Sequence, residues 1–114
     1  MENSNIREAK DVSVVLTTFP DAATAETAMH ALLADQLIAC ATLLPGATSL
    51  YTWQGELTRT TEVQVLLKTQ TRLLTDVCRR LAEVHPYQTP EMLCLGATWG
   101  ATSYLDWIVQ STQP

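Results

Sequence analysis

Charge is scarce in this sequence. Only 17% of its 114 residues are charged, where soluble domains commonly carry ~25%. Positive charge is scarcer still: seven Lys and Arg stand against twelve Asp and Glu, a formal net charge of −5. That balance excludes a nucleic-acid footprint, which needs clustered positive charge, and electrostatic attachment to anionic lipid. Three cysteines, Cys40, Cys78 and Cys94, are an odd number with no C-x-x-C pair, so a disulfide framework is excluded. Each sits among apolar neighbours and reads as a reduced thiol serving as a small core hydrophobe. There is no H-x-H, no H-E-x-x-H and no Cys/His cluster. A Gly-rich phosphate loop and a nucleophile elbow are also missing, and no cysteine lies in an activating polar setting. The expectation is a protein without catalytic activity.

An apolar leader is also lacking. The opening MENSNIREAKD is polar and mixed in charge, unlike a signal or transit peptide. It reads as a loose tail over residues 1–11, with one domain from 12 to 114 and a cytoplasmic location. The longest uncharged stretch, Leu37 to Gly55, contains Pro45, Gly46 and many β-favouring residues, which suit strands better than a lipid-facing helix. Apolar residues are plentiful at 46%, enough to exclude disorder over most of the length.

Asp11 to Phe19 (DVSVVLTTF) is apolar on both faces and stopped by Pro20, the pattern of a central strand. Asp21 then caps a helix whose stripe is Ala25, Ala28, Met29, Leu32 and Leu33. Leu37 to Leu44 is a buried strand broken by Pro45-Gly46, and Ser49 to Gln54 resumes extended structure. A turn at Gln54-Gly55 leads into a long strand from Glu56 to Thr69, closing an antiparallel hairpin. Thr71 to His85 is the second helix, with i, i+4 charge pairs Arg72/Asp76, Asp76/Arg80 and Arg79/Glu83 on its solvated face. Pro86 stops it. Met92 to Thr98 is the last strand, and Thr102 or Ser103 caps a terminal helix placing Tyr104, Trp107 and Ile108 on one face. The order is an α+β, ferredoxin-like βαββαβ with an extra C-terminal helix, its antiparallel sheet covered by helices on one face. An open sheet face and a long hairpin on so small a domain point to coverage by other chains.

Several stretches together resemble the CutA family, the divalent-cation tolerance proteins. They are Ala39-Cys40-Ala41, Ser49-x-Tyr51-x-Trp53-x-Gly55, Glu62 leading to Lys68-Thr69, His85-Pro86-Tyr87-x-x-Pro90-Glu91, and Tyr104-x-x-Trp107. The likeness spans about residues 12 to 109. It implies a ferredoxin-like subunit, similar to PII signal-transduction proteins, assembled as a homotrimer and linked to tolerance of copper and other divalent cations. Copper binding in some relatives is associated with a cysteine near the end of the first strand and paired histidines before the Pro-Tyr. Here Thr17 and Val84 stand at those positions, so only His85 carries over.

The best candidate site is the His85–Glu91 loop. Two prolines stiffen it, and the His85 imidazole and Glu91 carboxylate suit a divalent transition metal, which the resemblance implies is copper. The alternative is a turn from helix to strand, with Glu91 pairing across a subunit interface. Tyr51, Trp53 and Trp107 either line a small-molecule cleft or pack at the trimer interface. Lys68 binds an anion or pairs with Glu62 or Glu91. Convergence of Trp53, Lys68, Tyr87 and Glu91 would make an inter-subunit cleft for a small metabolite or anion. Cys40 and His30 read as a packing residue and a surface residue. The partners expected are other copies of the chain and divalent cations, with no organic cofactor.

Overall fold

The computed structural model describes residues 5–114. β1 (Ile6–Glu8), β2 (Val12–Phe19), α1 (Ala22–Ala34), β3 (Cys40–Trp53), β4 (Glu56–Gln70), α2 (Leu74–Val84), β5 (Leu93–Gly96), β6 (Trp99–Ala101) and α3 (Thr102–Ser111) follow in order. A four-stranded antiparallel sheet has the order β3-β4-β2-β5. β2 is therefore central, as its two-sided apolar pattern requires. Val15 and Phe19 of β2 and Val63, Val65 and Leu67 of β4 point under the helices. They meet Ala25, Ala28, Met29 and Leu32 of α1 and Val77 and Leu81 of α2. Leu33, expected in the α1 stripe, is exposed instead.

Local chemistry explains the element ends. The Asp21 carboxylate accepts the Thr24 N–H at 2.7 Å and caps α1, and that bond lowers its pKa. Gln54 and Gly55 both have positive φ, 51° and 81°, the two-residue hairpin turn whose twist matches the strands. Pro45-Gly46 does not divide β3. The register shifts between Leu44 and Ala47, so the pair forms a β-bulge, which an edge strand accommodates because Pro45 owes no hydrogen bond there. The hairpin extends the chain to 57 Å along its longest axis, against 26 and 22 Å across.

Four further expectations change. Of the segment expected to be loose, residues 1–4 lie outside the described residues, but Ile6–Glu8 pairs antiparallel with β6, and Arg7 bridges Asp11 and Asp106. A backbone that satisfies its hydrogen bonds against another strand is not a tail. The last strand is split, since Gly96 ends β5 and the chain turns to pair with β1 rather than β2. On α2 the charges pair at i, i+3, Arg79 with Asp76 and Arg80 with Glu83, while Arg80 also reaches Asp35 beyond α1. α3 has no side-chain cap. It seats Leu105 and Ile108 against Ala9, Val12 and Ala39, and Gln70 Nε2 donates to the Thr112 carbonyl at 2.8 Å.

Candidate functional site: an acidic, aromatic cleft

β-strand alternation places Glu62 and Gln64 on the face of β4 away from the helices. The chain leaving α2 passes over that face. Its Pro86–Glu91 loop and the outer half of the hairpin border a cleft of about 860 Å³. Tyr51, Trp53, Glu62, Tyr87 and Glu91 line it, with Thr18 and Pro20 at the end of β2. Two carboxylates and no Lys or Arg border the cleft, so its electrostatics suit a cation better than an anion.

The Tyr87 hydroxyl donates to Glu62 Oε2 at 2.8 Å. Burial, reinforced by that carboxylate, raises the Tyr87 pKa, so the phenol stays protonated and Glu62 keeps a donor. Gln64 Nε2 donates to the Thr17 carbonyl at 2.9 Å and to Glu91 Oε2 at 3.4 Å. Both cleft carboxylates are thus held by neutral donors from the fold.

His85 is held differently. The residue is only 8% exposed, and its ring stacks on Phe19 at 4.1 Å between centroids. Nδ1 accepts the Tyr87 N–H at 3.1 Å, which leaves Nε2 to carry the proton and donate to the Thr18 carbonyl at 2.8 Å. Burial lowers its pKa, opposed by the Thr18 carbonyl and by Glu62. A metal needs a free imidazole lone pair, and here the one available is taken by a backbone N–H. The proposed His85–Glu91 metal pair therefore does not fit this geometry: His85 pins the loop, and Glu91 faces the cleft. Among the described residues no group of three or more His, Cys, Asp or Glu side chains is placed to hold a metal ion.

The structure joins Trp53, Tyr87 and Glu91 but not Lys68. Lys68 is six residues along β4 from Glu62, roughly 20 Å at ~3.3 Å per residue, and Nζ donates to Thr42 Oγ1 at 3.4 Å. Tyr51 and Trp53 lie near the hairpin tip, while Trp107 stacks on Tyr104 at 5.8 Å, on the helix that packs at the other end of β4. Within one chain these three aromatic residues do not form one patch. The cysteines are less buried than a core role requires: Cys40 and Cys78 are half-buried and Cys94 is exposed. Cys40 Sγ lies 3.7 Å from the Tyr104 hydroxyl. Reading the sequence missed Glu62 and Gln64 as anchors of the loop. Their alternation on β4 was visible, but the partners are 25 and 27 residues away.

A βαββαβ core with a capping helix, one bare sheet face and a cleft between the hairpin and the loop after α2 define a ferredoxin-like α+β domain. Residues 13–111 match the family model of the CutA1 divalent ion tolerance protein, and the chain belongs to that family. It is 49% identical over 107 residues to the divalent-cation tolerance protein CutA of Citrobacter koseri, covering 94% of this chain and 93% of that protein. To the CutA of Escherichia coli O139:H28 it is 52% identical over 95 residues, 83% of this chain and 85% of that one. Among solved structures, CutA from Synechococcus elongatus superposes with a TM-score of 0.91 at 32% identity, over 95% of this chain and 96% of that one. CutA from Xylella fastidiosa does so with a TM-score of 0.88 at 38% identity, over 90% and 99%.

Proposed function

We propose that this chain is a cytoplasmic, non-enzymatic divalent-cation tolerance protein, working as a homotrimer that binds or responds to copper and other divalent ions. The observation that carries the cation reading is the cleft itself, with Glu62 and Glu91 on its walls and no basic side chain among them. Its donors are oxygens and aromatic faces, a set that favours a hydrated or organic cation over a tightly ligated metal.

The trimer rests on apolar surface. On the sheet face away from the helices, Leu93 and Leu95 of β5 are 59% and 51% exposed, beside Leu16, Val14 and Leu66. Exposed apolar area of this kind is usual at an interface and costly in water. A threefold arrangement makes heterologous contacts, which would bring the hairpin aromatics of one copy to a different patch of the next. That accounts for Tyr51, Trp53 and Trp107 lying apart within a chain yet all serving the interface.

Expression in a copper-sensitive bacterial strain lacking its own CutA tests the tolerance role. Growth restored at raised copper supports it, and growth no better than with an empty vector overturns it. Sedimentation tests the assembly, with a mass near three times 12.6 kDa as the expected result. The second reading, a PII-like sensor of a small metabolite, is supported by the size and aromatic lining of the cleft. The distance of Lys68 from it argues against an anion as that metabolite.

A further inference from the structure

Cys78 and Cys94 are 16 residues apart and belong to no motif, yet their Sγ atoms lie 3.7 Å from each other. Cys78 is half-buried on α2 and Cys94 is exposed on the edge strand β5. Cys94 stands opposite Val15, a residue buried beneath the helices. The thiol pair therefore opens at the α2 side of the sheet, away from the leucine-rich face that the trimer would cover. From these observations we propose that Cys78 and Cys94 form a two-thiolate site for a soft monovalent cation, Cu(I), distinct from the acidic cleft.

The ligand count selects the metal. Zinc takes four ligands and is not served by two. Thiolates prefer soft ions such as Cu(I), and a closed-shell monovalent ion is satisfied by two of them in line. With metal–sulfur bonds of ~2.3 Å, a linear pair needs its sulfurs roughly 4.6 Å apart, an opening of about 0.9 Å from the present separation. A disulfide at ~2.05 Å would instead need the sulfurs to close by about 1.6 Å. Binding is a proton-for-metal exchange. Two S–H bonds break, two S–Cu bonds form, both protons pass to solvent, and no electron is transferred. The site ends with a charge of −1, and Cu(I) enters already reduced.

The inference deepens the tolerance reading and rests on it, but its test is a binding measurement independent of growth. The full chain, reduced and kept anaerobic, is titrated with Cu(I) against a chromophoric Cu(I) chelator, alongside Cys94→Ser, Cys78→Ser and Cys40→Ser. Wild type and Cys40→Ser are expected to take one equivalent per chain with thiolate-to-copper absorption, while the other two variants lose both. Cys94 is exposed, so Cys94→Ser tests the site in a chain whose core is untouched. Equal uptake by wild type and Cys94→Ser overturns the site. So does absence of stoichiometric uptake by wild type, whether the thiols stay free or mass spectrometry finds them disulfide-linked. Failure of growth rescue with Cys94-dependent uptake intact removes the tolerance role and leaves the site standing.

Discussion

Thr17 offers the sharpest test of the packing. It is fully buried in the central strand β2, at the position where the family resemblance aligns a cysteine, and its Oγ1 has no hydrogen-bond partner among the described residues. A buried hydroxyl without a partner costs about 1–3 kcal/mol. Thr17→Val replaces that oxygen with a methyl of similar size and keeps the β-branch that suits a strand. The gain expected is ~1–2 kcal/mol. At ~2.1 cal/mol/K per residue, a chain of 114 residues unfolds with an entropy near 240 cal/mol/K, so each kcal/mol moves Tm by about 4 °C. Thr17→Val should therefore melt about 4–8 °C higher, measured by circular dichroism at one protein concentration because assembly makes Tm concentration-dependent. Thr17→Ser keeps the unpartnered oxygen and deletes a methyl, and should melt lower by about 1 kcal/mol. Thr17→Cys, with a thiol of weaker hydrogen-bonding demand, should fall between serine and valine. A Thr17→Val protein that melts below wild type would refute the reasoning, since the hydroxyl would then have been bonded.

Three other outcomes follow from the same geometry. Tyr87→Phe removes the donor at 2.8 Å from Glu62 and should cost ~1 kcal/mol in urea denaturation, with faster amide exchange in the Pro86–Pro90 loop; unchanged exchange would mean that the bond does not hold the loop. His85 has a folded pKa depressed below 6.5, with burial the largest cause. The unfolded chain therefore binds a proton that the folded one resists, and stability should fall as pH drops below about 6.5; His85→Gln should flatten that part of the profile, and identical slopes would exclude His85 as its source. Leu95→Glu places a carboxylate on the bare sheet face where Leu95 is 51% exposed, so it should leave the fold intact and shift sedimentation toward a single chain, whereas an unshifted mass would place the interface elsewhere.

The parts of the fold that repeat along the chain are readable in the sequence. Helix period in Ala25, Ala28, Met29 and Leu32, strand alternation in β4, the Asp21 cap and the Gln54-Gly55 turn are local interactions, each decided within a few residues. They were enough to order the elements and to predict a ferredoxin-like sheet. Where two local signals competed, the nearer one misled. Pro45-Gly46 looked like a strand end and is a bulge, because pairing with β4 resumes beyond it at Ala47 and Glu62. The polar opening segment looked loose and includes a strand, because β6 supplies its partner 90 or more residues later.

The site was legible only in outline. The sequence by itself determined the stiff loop, the family and the residues that could carry chemistry. Only the tertiary structure decided which of them meet. It closed Tyr87 onto Glu62 across 25 residues and brought Cys78 to Cys94 across 16. It left Lys68 with Thr42, and it filled both His85 nitrogens with backbone partners. The physical reason is that a lone pair or a charge acts within a few ångströms. Those distances are set by the stacking of helix on sheet and by the register of β2 against β4, quantities that belong to the whole chain and to no segment of it.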